Sequence, residues 1–221
     1  MRFCNKIRFS PLRKATSLLH CSLLLIPSKK LLELVDERRR KKVIRYLQPD
    51  DRKRSLGAGI IIRKILDENG FSENDLKYSE NEKPFVDNLF FNVSHAGDYV
   101  VGVLSDCEVG CDIEKNSKAP LEVAERYFYS TELEYIRSAD DKNRAFFTLW
   151  TLKESYMKMT GKGMSLALDS FEVIQTESGF ILGKSSEKNC FFKTLEFDGY
   201  IFSVSNEMEF ALDEERFCDI L

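Results

Sequence analysis

Two carboxylates stand two residues apart in Gly110-Cys111-Asp112-Ile113-Glu114. On a strand, alternate residues point to one face, so Asp112 and Glu114 lie side by side while Ile113 turns into the core. Like charges this close repel, and a divalent cation relieves the conflict; oxygen ligands alone suit magnesium. The plainer alternative is two solvated acids at a strand end. A second group lies in the segment from Trp150 to Lys158, where Trp150, Glu154 and Lys158 recur every four residues along one helical stripe bordered by Lys153. That stripe is either an amphipathic face with an ordinary Glu–Lys pair, or Glu154 is a third metal ligand and Lys158 a phosphate contact. Asn92-Val93-Ser94-His95 enters a glycine-containing turn. Side chains of neighbours on an extended chain diverge, so Ser94 and His95 make no hydrolase dyad. A turn offering backbone N–H groups, a hydroxyl and an imidazole does suit a phosphate; the alternative is a structural turn histidine. Arg39, Lys42, Arg52, Lys53 and Arg54, then Lys83 before Pro84, read either as solvated helix faces or as an anion site for a ligand with several phosphates.

The elements that must carry these residues follow from periodicity and punctuation. Helices are expected over 30–47 and 49–66, the second opened by Pro49-Asp50-Asp51 with its acids near the positive end of the dipole. A polar loop over 67–84 leads to strands at 89–93, 99–105 and 108–113. Helices are expected over 121–129, 131–139 and 142–160, the last stopped by Gly161-Lys162-Gly163, and strands at 171–175, 180–183, 190–197 and 200–205. This order fits an α+β fold. Two halves, 21–106 and 107–221, are expected to meet near 106–120. Residues 1–20 read as a poorly ordered leader, with a first strand at 21–26. Five basic residues in the first fourteen, followed by an apolar stretch, resemble a signal peptide, but the stretch is short, broken by His20 and Ser22, and has no small-x-small cleavage site.

Composition narrows the class. The chain has 221 residues, 43% of them hydrophobic and 31% charged, which excludes a disordered polymer. With 33 basic and 36 acidic residues the net charge is −3, so no whole-protein field for nucleic acid exists, and no apolar run is long enough for a membrane span. Six scattered cysteines and two histidines make neither a zinc cluster nor a disulfide scaffold, and they point to a reducing cytoplasm.

The order of the motifs is itself informative: a basic helix pair, Lys-Pro, Asn-x-Ser-His, VGCDIE, then WTLKESYMKMTGKGMSL. In that order the sequence resembles the 4'-phosphopantetheinyl transferases, in particular the Sfp-like branch, over about residues 21–205. Cys111 stands where Ile or Val is usual, and Glu82 where the family's Gly-Lys-Pro has its glycine. The resemblance implies two similar tandem α+β halves with the site in the cleft between them. It implies transfer of the phosphopantetheine arm of coenzyme A to a serine of an acyl, peptidyl or polyketide carrier protein, with release of adenosine 3',5'-bisphosphate. It makes Asp112, Glu114 and Glu154 the magnesium ligands; Glu154 is then also the best-placed base for the serine proton, directly or through a metal-bound water. Ser94, His95 (at the 3'-phosphate), Asp112 and Lys158 (at the pyrophosphate) become coenzyme A contacts, with Lys83, Arg39, Lys42, Arg54 and Ser55 towards the nucleotide end. The partner would be a carrier with an acidic helix near its serine, meeting Lys162, Met164 and Leu166, and the enzyme a monomer. A non-catalytic magnesium or nucleotide-binding module would be favoured by loss of an acid or of Lys158, and neither is lost.

Overall fold

The computed structural model describes residues 15–22, 29–185 and 188–213. In chain order the elements are β1 (Ala15–Ser22), α1 (Lys29–Leu32), α2 (Glu37–Arg45), α3 (Pro49–Glu68), β2 (Lys77–Tyr78), β3 (Pro84–Phe85), β4 (Phe90–Ala96), β5 (Tyr99–Ser105) and β6 (Val109–Lys115). Then come α4 (Leu121–Tyr127), α5 (Ser130–Ser138), α6 (Lys142–Met159), β7 (Val173–Thr176), β8 (Gly179–Leu182), β9 (Phe191–Phe197), β10 (Tyr200–Asn206) and β11 (Ala211–Asp213).

The α+β class holds. One sheet runs β11-β1-β5-β4 and the other β6-β10-β9-β8-β7. Helix α3 packs on the first through Leu56, Ile61 and Ile65 against Phe91, Val100 and Leu104. Helix α6 packs on the second, with Phe146, Leu149 and Tyr156 meeting Phe171, Val173 and Phe192. A third apolar cluster joins the sheets, Val101 and Val103 of β5 meeting Cys111 and Ile113 of β6 and Phe202 and Val204 of β10. These central strands are covered on both faces, so β5 and β10 are buried along nearly their whole length; β5 is almost wholly apolar, whereas β10 turns Ser203 and Ser205 towards α6.

Four expectations need correction. The first strand spans Ala15–Ser22, so residues 15–20 belong to the sheet, paired antiparallel to β5 and parallel to β11, while 23–26 and the first fourteen residues lie outside the described residues. The helix expected over 30–47 is two pieces. Asp36 breaks it by capping α2 at the Arg39 N–H, and the Arg40 guanidinium takes the Leu32 and Val35 carbonyls left at the break. The loop expected over 67–84 contains β2, which pairs with β3. Leu166, expected on an exposed stripe, is buried in the α6 core, because a 3-10 turn at Gly163–Ser165 rotates it inward while leaving Met164 outside.

Candidate active site between the halves

Strands β4 and β6 run past each other where the halves meet. Asn92 accepts a hydrogen bond from the Cys111 N–H at 3.0 Å, and the Ser94 hydroxyl donates to Asp112 Oδ1 at 2.8 Å. Helix α6 covers this junction from the other side. A Cβ at Gly110 would lie 2.0 Å from the Ser155 carbonyl oxygen and 2.4 Å from the Met159 nitrogen, so the helix backbone rests directly on β6 there. Thr151 and Ser155 seat the same helix on β10, meeting Ser203 at 2.7 Å and Ser205 at 2.6 Å.

This close seat carries Lys158 onto the strand acids. Its ammonium donates to Asp112 Oδ1 at 2.6 Å and to Ser94 Oγ at 2.9 Å. The other carboxylate oxygen, Asp112 Oδ2, is buried with no hydrogen-bond partner. A buried acceptor left bare is costly unless a ligand completes it. Burial and then Asp112 push the Glu114 carboxyl up to about 7, and the same two causes raise Glu154. Burial is the largest single influence on Lys158 and opposes its charge, but Asp112, Cys111 and Glu154 together outweigh it and the lysine pKa rises. Among the described residues no three His, Cys, Asp or Glu side chains stand close enough to hold a metal ion. Asp112, Glu114 and Glu154 share one electrostatic field, with Lys158 paired to Asp112. The donors on offer are the bare Oδ2 and two carboxyls whose ionised forms burial and Asp112 disfavour, all oxygen, a donor set whose chemistry fits a hard divalent cation.

The expected anion contacts do not converge on one place. His95 is exposed at the end of β4, yet loss of hydration around its ring lowers its pKa, and the positive charges of Lys158, Arg54 and Arg39 add to that. Cations from α2, α3 and α6 therefore bear on one turn. Arg54 also holds that turn, donating to the Gly97 carbonyl at 3.2 Å while pairing with Asp51 at 2.6 Å. Ser55 is buried with its hydroxyl unpartnered. Lys42 stands apart, on a basic cavity of about 700 Å³ with Arg38, Lys41 and Arg45. Lys83 lines a second cavity of about 370 Å³ with Glu154, Lys158 and Met164, but its ammonium is engaged by the Lys158 carbonyl at 2.8 Å. Glu82 lines both cavities, at a backbone φ of 60° that favours glycine. Its carboxylate pairs with Arg38 at 2.7 Å.

Asn92 and Gly110 are the structural residues not singled out beforehand. Both lie inside quoted motifs, where a buried amide and a Cβ-free contact leave no periodic signal.

Fixed cations around a turn, a bare carboxylate oxygen and a lysine between them suit a protein that handles a phosphate ester. Residues 108–206 match the model of the 4'-phosphopantetheinyl transferase superfamily, and residues 28–107 match that of the 4'-phosphopantetheinyl transferase N-terminal region. The chain is 35% identical to 4'-phosphopantetheinyl transferase ffp of Bacillus subtilis, over 79% of this chain and 83% of that one. It is 32% identical to 4'-phosphopantetheinyl transferase gsp of Aneurinibacillus migulanus, over 84% and 85% of the two chains. It is 31% identical to 4'-phosphopantetheinyl transferase Sfp of Bacillus subtilis strain 168, over 80% and 84%. The chain belongs to the 4'-phosphopantetheinyl transferase superfamily.

Proposed function

We propose that this site moves the 4'-phosphopantetheine arm of coenzyme A onto a serine hydroxyl of an acyl, peptidyl or polyketide carrier protein. The serine oxygen bonds to the phosphorus that bears the pantetheine arm. The bond from that phosphorus to the bridging pyrophosphate oxygen breaks, and adenosine 3',5'-bisphosphate leaves with the electron pair. Glu154 faces the transfer cavity and takes the serine proton; its raised pKa makes the ionised carboxylate a stronger acceptor than a solvent-exposed one. Lys158, anchored on Asp112 and Ser94, presents its charge to the pyrophosphate oxygens in the same cavity. Asp112, Glu114 and Glu154 would hold a divalent cation, and magnesium bound there would supply positive charge against the growing negative charge of the leaving phosphate. His95, with Arg39 and Arg54 bearing on it, takes the 3'-phosphate; Lys42 and Ser55 belong to the nucleotide end, and Lys83 and Ser94 stay beside Lys158 on the pyrophosphate side.

Met164, 79% exposed beside Lys162 at the cavity rim, offers an apolar contact flanked by positive charge, which suits an acidic carrier helix with an apolar stripe. Among the described residues Cys107, Cys111 and Cys190 form no disulfide, which suits a reducing cytoplasm, and the tandem halves would complete the cleft within a monomer. Among the described residues no helix is long and apolar enough to cross a membrane.

The observation that carries the reading is the bare Asp112 Oδ2 beside Lys158 and the cavity lined by Glu154. The test is the intact mass of several purified apo carrier proteins after incubation with coenzyme A and magnesium. A gain of one phosphopantetheine unit on the carrier serine is expected. No gain on any carrier, with or without the metal, refutes the reading.

A further inference from the structure

Immediately before Glu154 on α6 is an ammonium with no exposed surface. Lys153 and its partner Glu132 have side chains 0% exposed and meet at 2.8 Å. The Lys153 ammonium also donates to the carbonyls of Leu168 at 2.9 Å and Phe171 at 2.8 Å, and lies 4.4 Å from the centre of the Phe171 ring. Glu132 in turn accepts from the backbone N–H groups of Tyr129 and Val173, both at 2.8 Å. A buried ion pair of this kind is poor evidence for net stability, since apolar replacements of similar volume are often as stable. What an apolar residue cannot do is fix carbonyl oxygens in space, and an ammonium has three directional donors for that.

The carbonyls it fixes are not scattered. Leu168 and Phe171 follow the exposed segment that carries Met164. At the near end of that segment, Asn81 donates to the Gly161 and Lys162 carbonyls, both at 3.1 Å. The rim loop is therefore tied at both ends, and the far tie runs to the helix that bears Glu154 and Lys158.

We propose that Lys153, held by Glu132, is a positioning residue that sets the rim loop around Met164 against α6, so that the docked carrier presents its serine to Glu154. This rests on the carrier reading of the rim. The side chain of Lys153 touches no substrate; it acts through the loop.

The test compares Lys153→Met with the wild type by steady-state kinetics in both substrates and by backbone amide exchange over residues 161–173. The expected result is a carrier KM raised about tenfold with coenzyme A KM within about twofold, and faster exchange confined to that segment. Simple loss of folded protein lowers kcat and leaves both KM values where they were; that outcome overturns the proposal. If Lys153→Met does not fold, Lys153→Arg keeps the charge but its longer, planar fork cannot aim at Glu132 and both carbonyls as the ammonium does, and it must still raise the carrier KM; an unchanged carrier KM in a folded Lys153→Arg protein overturns the proposal as well. Failure of the transferase reading shows separately, as absence of transfer by the wild type. The exchange experiment then still decides the tie, and unchanged exchange in a folded variant refutes it.

Discussion

Helix α6 carries Lys153 and Lys158 five residues apart and so on different faces, and each of the two meets a buried carboxylate. Around Lys153 the ammonium has Glu132 and two carbonyls, and both oxygens of Glu132 are engaged. Around Lys158 the account is incomplete. The lysine side chain keeps 28% of its surface exposed, and its partner Asp112 has one oxygen bare. The same pair of residue types is thus closed in one place and open in the other. A closed network specifies geometry; an open one, at the wall of a cavity, is waiting for a ligand.

The contrast is broken most strongly at Glu154. Glu154→Gln keeps the shape and removes the charge, so transfer should fall by about 10²–10⁴-fold, the range for loss of a general base. The thermal midpoint should hold or rise, because Asp112 loses a repelling neighbour. Rate measured by intact mass, alongside scanning calorimetry, checks both halves. A variant that keeps its rate but melts earlier would move Glu154 to the closed, structural class.

His95 sharpens the open side. A 3'-phosphate is remote from the bond that breaks, so its contacts supply binding and positioning. His95→Ala should cost coenzyme A about 1–2 kcal/mol in kcat/KM, the order of one charge-assisted hydrogen bond. The variant should also discriminate less between coenzyme A and its dephospho form. Measuring both substrates with both proteins isolates the coupling. Equal losses on both substrates, with a lower melting temperature, would make His95 a turn residue.

The open site was far more legible in the sequence than the closed one. The alternation that pairs Asp112 with Glu114, and the four-residue spacing of Glu154 and Lys158, are local and periodic. Glu132 and Lys153 are separated by one short loop and most of two helices, and nothing local to either residue announces the other. Elements whose ends depend on a single side chain were also misplaced. Asp36 splits a helix whose apolar pattern runs on, and β1 starts early because its partners β5 and β11 lie far along the chain. Met164 and Leu166 look equivalent by composition, but a 3-10 turn puts one outside at 79% exposure and the other inside at 7%. Glu82 takes a glycine-like φ of 60° and uses its carboxylate to hold Arg38, so the loop before Lys83 closes without the glycine.

Met164 tests where the two regions meet, since its loop is held by the closed pair and borders the open one. Met164→Asp places a charge against the apolar stripe of the carrier and should raise the carrier KM about tenfold while leaving coenzyme A affinity nearly unchanged. Because Met164 is exposed, the melting temperature should not move. Equal loss for both substrates would show that the rim belongs to the coenzyme site.

The smallest expected effect is a slope, and it separates the regions by pH. Burial and then Asp112 put the folded-state pKa of Glu114 at about 7, above its ordinary value of 4.5. Between those two values the folded chain keeps a proton that the unfolded chain has lost. Stability therefore falls as pH rises through that window and levels off above it. In chelator, the melting temperature should decline from about pH 5 to about pH 7 more steeply than in Glu114→Gln, which has no such carboxyl to ionise. Magnesium engages the ionised form, so the stabilisation it adds should be larger at pH 8 than at pH 5, with proton release on binding near neutrality. Glu132 is buried too, but Lys153 and two backbone N–H groups oppose the effect of its burial, and magnesium has no access to it. Glu132→Gln should accordingly leave the magnesium dependence of the slope intact, whatever it does to the melting temperature. If Glu132→Gln abolishes that dependence and Glu114→Gln preserves it, the assignment of the open and closed regions is reversed.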